Sequence, residues 1–178
     1  YENSYLSIEN STIDGAVKVY DGSVVSIKDS TLNTTDNYDK VLLVNRNSIA
    51  KTDKITMNGR IGFFFGSSWN DYKSTINCTT NSSCISFKAS NVSIEDTRIN
   101  LLSNSGSAVD VTSSYVNFYT PVVDCVSEYS CFDVTRSNFV INLSNNYEGK
   151  FEVKSNSGQA FNLKVSTLNL KEATIDCS

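Results

Sequence analysis

Apolar residues recur along this chain in one figure. An apolar residue is followed by another two positions on, and then by others five, two and five further along. Val109, Val111, Val116, Phe118 and Val123 trace it, as do Phe161, Leu163, Leu168, Leu170 and Ile175. Ile85, Phe87, Val92, Ile94 and Ile99 trace it again. Phe132, Val134, Phe139 and Ile141 give four points, and the fifth falls on Asn146. Val17, Val19, Val25, Ile27 and Leu32 fit after a one-residue slip at Gly22, and Leu6, Ile8 and Ile13 make a partial first copy. Two copies are weaker. One reads Val41, Leu43, Ser48, Ala50 and Ile55, the other Gly62, Phe64, Trp69, Asp71 and Ile76.

Apolar residues two apart mark strands, because side chains alternate between the faces of a strand. Each copy therefore predicts two short strands and a third around the last point. Polar corners of Ser, Asn, Asp and Gly separate them. First points at 17, 41, 62, 85, 109, 132 and 161 step by 24, 21, 23, 24, 23 and 29 residues. Three short strands per turn at a period of 21–24 residues predict an all-β, right-handed parallel β-helix of about seven or eight coils. Coils stacked at ~4.8 Å would make a rod of roughly 35 Å. No coil buries its apolar face alone, so the stability lies in stacking. An antiparallel sandwich explains the alternation but not the recurring figure.

The 178 residues are expected to form a single β-helical unit belonging to a longer protein, because the pattern runs into both ends. Charged residues make up 19%, proline and methionine occur once each, and histidine is absent. A net charge of −4 speaks against a nucleic-acid partner. No apolar run is long enough to insert this segment in a membrane.

The coils "LSIENSTIDG", "VSIKDSTLN" and "VSIEDTRIN" resemble the pectin-lyase-like right-handed β-helix superfamily. With their Ser/Asn/Thr-rich corners they also resemble passenger domains of bacterial type V autotransporters. That resemblance implies a segment displayed at the cell surface, on the extracellular side of the outer membrane, or secreted. The implied roles are those of adhesins, aggregation factors and toxins. Partners would be a host-cell protein or glycan receptor, or an identical rod. Polysaccharide lyases, phage tailspikes and filamentous haemagglutinins share such coils, so a carbohydrate-active enzyme, a polysaccharide-binding protein and a toxin segment stay open.

Catalysis by histidine is excluded by composition. Galacturonan-hydrolysing β-helix enzymes carry Asn-Thr-Asp, paired Asp, Gly-His-Gly and Arg-Ile-Lys strings, and none occurs here. The carboxylates are scattered, without the facing pair that glycoside hydrolysis needs. No catalytic residue, metal ligand set or cofactor is assigned, and the expectation is a protein that is not an enzyme. "GFFFGSSWNDY" is the densest aromatic stretch. Alternation puts Phe63 and Phe65 on the face opposite Phe64. Phe63, Phe65, Trp69 and Tyr72 are thus a candidate binding surface, against a simpler reading in which the core swells at this coil. The long coil between Ile141 and Phe161 adds Tyr147 and Lys150 to that surface, because insertions on solenoids often carry binding. Six sequons, at Asn10, Asn33, Asn77, Asn81, Asn91 and Asn142, are read as chance in an Asn/Ser/Thr-rich chain.

Five cysteines complete the picture. Cys78 and Cys84 bracket a corner between coils, and Cys125 and Cys131 bracket another with the same spacing. Zinc needs four ligands, and these pairs offer two each. Cys78 and Cys125 stand two coils apart, roughly 9–10 Å by strand spacing, too far for a disulfide. The expected bonds are Cys78–Cys84 and Cys125–Cys131, which imply an oxidising compartment. Cys177 occupies the equivalent place at the end and is left without a partner in this chain.

Overall fold

The computed structural model describes residues 3–34, 39–142, 150–155 and 159–171, the third of these in its backbone only. Among them are 22 strands, and every third strand joins the same sheet. The first sheet stacks β1 (Tyr5–Glu9), β4 (Val24–Lys28), β7 (Ile49–Asp53), β10 (Ser68–Tyr72), β13 (Asn91–Glu95), β16 (Tyr115–Tyr119), β19 (Asn138–Asn142) and β22 (Thr167–Lys171). The second stacks β2 (Thr12–Asp14), β5 (Thr31–Asn33), β8 (Thr56–Asn58), β11 (Thr75–Thr80), β14 (Arg98–Ser103), β17 (Val122–Ser127) and β20 (Lys150–Ser155). The third stacks β3 (Val17–Val19), β6 (Lys40–Asn45), β9 (Arg60–Phe64), β12 (Ile85–Lys88), β15 (Val109–Thr112), β18 (Ser130–Thr135) and β21 (Gln159–Lys164). The chain is a parallel β-helix with three strands per coil. Six full turns run from β1 to β19, slightly fewer than expected, and the turn from β19 to β22 crosses residues outside the described set.

Each inward side chain rests on its counterpart one coil away. In the first sheet Val25, Ala50, Trp69, Val92, Val116 and Phe139 form one buried row. Small Ala50 beneath Trp69 makes room for the largest side chain of the core. In the third sheet Phe63 stacks on Trp69 with centroids 4.9 Å apart, and Phe87 lies tilted 6.0 Å from Phe63.

Coil lengths vary more than the expected 21–24 residues. First-sheet strands begin at 5, 24, 49, 68, 91, 115, 138 and 167, which gives steps from 19 to 29. The two 19-residue coils pass from the second sheet to the third through Gly15 (φ 148°) and Gly59 (φ 145°). A Cβ on Gly59 would lie 2.4 Å from Cγ2 of Thr34, so that corner needs glycine for space as well as conformation.

The two weak copies of the figure are shifted. Val17 pairs with Leu42 and not Val41, because a bulge between Lys40 and Leu42 tucks Val41 and Leu42 inward together. Ala50 is the third point of that coil, and Met57 its fifth. In the next coil Ile61 and Phe63 face the core in place of Gly62 and Phe64. The cause is the corner from third to first sheet. In the early coils it carries two residues of positive φ: Asp21 and Gly22, Arg46 and Asn47, Phe65 and Gly66. In later coils it carries one: Ala89, Ser113, Arg136 or Val165. The extra residue lengthens the central step of the figure by one. In the long coil the fifth point, placed on Asn146 by counting, falls in register on Phe151, opposite Val123.

A serine stands two residues before the third point of every coil: Ser4, Ser23, Ser48, Ser67, Ser90, Ser114, Ser137 and Ser166. The N–H of Ser90 donates to Ser114 Oγ (3.1 Å), that of Ser114 to Ser137 Oγ (3.0 Å), and that of Ser137 to Ser166 Oγ (3.2 Å). The hydroxyls donate back to corner carbonyls, as Ser114 does to Thr112 (2.8 Å) and Ser137 to Thr135 (2.8 Å). Backbone polar groups that the turn takes out of the sheet ladder are satisfied this way. Ser48 is the exception, since its buried Oγ has no partner. Ser114→Ala should therefore cost about 1–3 kcal/mol, because it strands the Ser90 N–H. Ser48→Ala should cost nothing or stabilise. Urea unfolding of the two variants checks this, and equal losses would contradict a structural role for the ladder.

Candidate functional site

The two cysteine pairs are bonded as the corner spacing predicts. Cys78–Cys84 and Cys125–Cys131 each span a separation of six, with Cα atoms 5.7 and 6.1 Å apart. Each closes the corner from second to third sheet. Cys78 is in register with Leu101, and Leu101 with Cys125, so the bonds mark alternate coils. In the coil between them Leu101 and Ala108 hold the same two places, both buried. Ser103 and Ser127 hydroxyls both donate to the Gly106 carbonyl (2.8 and 2.7 Å) and fasten that unbonded corner. Cys177 lies outside the described residues.

The candidate aromatic surface divides. Phe63 and Trp69 are fully buried and belong to the core, so both are removed from any binding surface. For Phe63 the one-residue shift of this coil is the reason, since it turns Phe63 inward and Phe64 outward; Trp69 stands on an inward point of the figure in either register. Phe65 and Tyr72 are exposed, at 64% and 38%. Phe65 sits in the corner at φ 52°, an uncommon conformation for a bulky residue. The Lys73 ammonium stands over the Tyr72 ring at 4.7 Å. Tyr147 lies outside the described residues. Lys150 begins β20 opposite Val122, and its side chain is not among those described.

Two arrangements were missed by counting apolar residues. The first is an outward amide ladder on the second sheet. Asn100 donates to Asn77 (2.8 Å), Asn77 to Asn58 (2.9 Å), Asn58 to Asn33 (2.8 Å) and Asn33 to Asp14 (2.9 Å). The sequons at Asn33 and Asn77 are thus occupied by ladder bonds, whereas Asn10 and Asn91 are exposed. The signal was present as the recurring Thr-x-Asn of "TLN", "TMN" and "TIN".

The second is a buried carboxylate. Asp71 is 4% exposed and sits in register between Thr52 and Ile94, in a row that carries Ile27 and Phe118 further out on either side. Its Oδ1 accepts from the Thr52 hydroxyl and from Ser74 Oγ (2.6 Å), and its Oδ2 accepts from Thr97. Trp69 Nε1 donates to Thr52 Oγ1 at 2.8 Å and ties the network to the aromatic core. Burial holds the Asp71 carboxyl above its ordinary value of 3.8, opposed by hydrogen bonds from Ser74, Thr52, Thr97 and the Tyr72 backbone. The visible signal was an aspartate at an inward position of the figure.

On the outside of the first sheet a third group of aromatics gathers. Tyr115 and Tyr119 flank Asn117 on β16, and Tyr119 is in register with Glu95, which is in register with Tyr72. Tyr115 and Tyr119 are 48% and 47% exposed. Among the described residues no group of three or more Cys, Asp or Glu side chains is placed to hold a metal ion. No family model, curated protein or solved structure matches the chain.

Replacing Cys78 and Cys84 together by serine should lower stability by about 2 kcal/mol, the loop being short. Urea unfolding measures this, and an unchanged midpoint would mean that the corner is held without the bond. For Asp71 the raised folded value means that its contribution is full below the ordinary 3.8 and is lost as pH rises through the folded value. Wild-type stability should therefore fall relative to Asp71→Asn between pH 4 and pH 7, roughly the span above an ordinary carboxylate. Unfolding curves at both ends test it, and a constant difference would show that this carboxyl does not titrate there.

Proposed function

We propose that this chain is a segment of a surface-exposed or secreted adhesin-type rod that binds a host glycan along the outside of its first sheet. The observation that carries this reading is the outward set of Tyr72, Tyr115 and Tyr119 with Glu95 and Asn117 on three successive strands. Tyrosine offers an apolar ring and a polar tip in one side chain. Ring faces suit the apolar faces of sugars, and amide and carboxylate groups suit their hydroxyls. The stacked backbone fixes the separation between these groups, so little ordering accompanies binding. Two disulfides support passage through an oxidising compartment. The composition of the corners supports a passenger-like segment of the autotransporter type.

The test is binding of the chain to a glycan array and to host cells, with Tyr115→Ala and Tyr119→Ala combined. Loss of about tenfold or more in affinity is expected. Absence of any glycan or cell binding by the unaltered chain, or equal binding by the double variant, would overturn the assignment.

A further inference from the structure

Tyr72 on β10, Glu95 on β13 and Tyr119 on β16 follow one another in a single outward row of the first sheet. After each of them the chain turns toward the second sheet through one residue of positive φ: Lys73 (54°), Asp96 (51°) and Thr120 (45°). The two tyrosine coils differ at that turn. Lys73 sets its ammonium over the Tyr72 ring, 4.7 Å from the centroid. At that distance the ring attracts a cation. Tyr119 has no lysine beside it. Thr120 stands in that place, buried, and its hydroxyl donates to Asp96 Oδ1. Tyr119 is thus a half-exposed ring with Glu95 directly opposite on the next strand and Asp96 following Glu95 in the chain. Neither Glu95 nor Asp96 forms an ion pair among the described residues. Asp53 extends the row on the other side of Tyr72, and its buried Oδ1 has no hydrogen-bond partner. Lys28, its neighbour in register on β4, reaches instead to Glu9 and Asp29, both at 3.8 Å.

We infer that the ligand of this face carries positive charge: it is a glycan whose sugars bear free amines, and one protonated amine binds against the Tyr119 ring with Glu95 and Asp96 as counter-charges. The inference rests on the glycan reading and specifies its ligand. Lys73 on Tyr72 is the precedent within the chain, since it shows how an ammonium sits on a tyrosine of this row. A primary ammonium has three donors, so it can face a ring and still bond a carboxylate. A neutral sugar would use the carboxylates as acceptors but gain nothing from their charge. A carboxylated or sulfated sugar would be repelled by them. Tyr115 and Asn117, outward on the same strand as Tyr119, are left for the neighbouring sugar.

Calorimetric titration of the full 178-residue chain with glucosamine oligomers, and with fully N-acetylated oligomers of equal length, is the experiment. The two ligands differ in the charge on nitrogen and its acetyl cap. The amine form should bind about tenfold more tightly or better. Glu95→Gln, at an exposed position, should remove that preference. Thr120→Lys should remove it too, by placing over Tyr119 the ammonium that Lys73 places over Tyr72. Lys54 and Lys73 show that this corner accepts lysine. Lys73→Thr should act in the opposite direction, because it opens the Tyr72 ring between Asp53 and Glu95 to a second amine. Equal binding of the two oligomers would overturn the inference and leave the glycan reading standing. So would a preference that survives both Glu95→Gln and Thr120→Lys, or binding confined to glycans without amines. Absence of binding to any glycan would overturn both.

Discussion

Parallel stacking in register is the constraint on which the rest of this molecule depends. A strand here has no partner within its own coil; its hydrogen bonds run to the coils before and after. Every inward position must therefore suit the positions one coil away, and every corner must let the ladder continue through it. The first-to-second corner shows how. Asn10, Asp29, Lys54, Lys73, Asp96 and Thr120 all turn with φ between 45° and 54°. Each still donates its N–H to the next coil, as Lys54 does to Tyr72 (2.8 Å) and Lys73 to Glu95 (2.9 Å). A left-handed conformation costs a non-glycine residue roughly 1–2 kcal/mol. Six corners accept that cost because a straight alternative would leave buried backbone groups unpaired.

The same constraint explains where irregularity is tolerated. The corner from second to third sheet varies from the lone glycine at Gly59 to the stretch between β11 and β12 closed by Cys78–Cys84 and the longer one between β14 and β15, while the strands on either side keep their register. A corner can lengthen without disturbing the ladder, provided its ends return to the same places. The disulfides and the Ser103 and Ser127 hydroxyls hold those ends together on three consecutive coils. Asp71 is the opposite case, an irregularity inside the core. It is accommodated by composition, with Thr52, Ser74 and Thr97 supplied from its own and adjacent coils to bond a carboxylate that water cannot reach.

The architecture was legible because stacking writes itself into spacing. Five apolar points per coil identified the three-strand turn and placed both disulfides. Absolute register was less legible. Val41 and Leu42 are adjacent and equally apolar, and only the bulge after Lys40 decides which one pairs with Val17. Three consecutive phenylalanines satisfy either parity, and the two-residue corner at Phe65 and Gly66 settles that Phe63 faces in. That choice sent Phe63 to the core, where Trp69 already stood on a point of the figure, and left Phe65 outside. The serine two residues ahead of each third point would have fixed the register of every coil from the sequence. It is polar, and a reading built on apolar positions passes over it.

The outward half of each strand answers to a weaker rule. An inward residue is bounded by volume on all sides, so its identity repeats from coil to coil. An outward residue meets water and two neighbours in its row, and most chemistries fit. Where outward rows nevertheless repeat, as in the amide ladder from Asn33 to Asn100, a side-chain bond between coils accounts for the repetition. Where they change abruptly, stacking does not account for the change. The third sheet passes from stacked cations to stacked carboxylates within a few strands, and the first sheet brings Tyr72, Tyr115 and Tyr119 together between β10 and β16. Neither arrangement is required by the stacking of one coil on the next. Departures from the stacking rule on an outward face are therefore where recognition is to be sought in a solenoid, since the fold itself gives no reason for them.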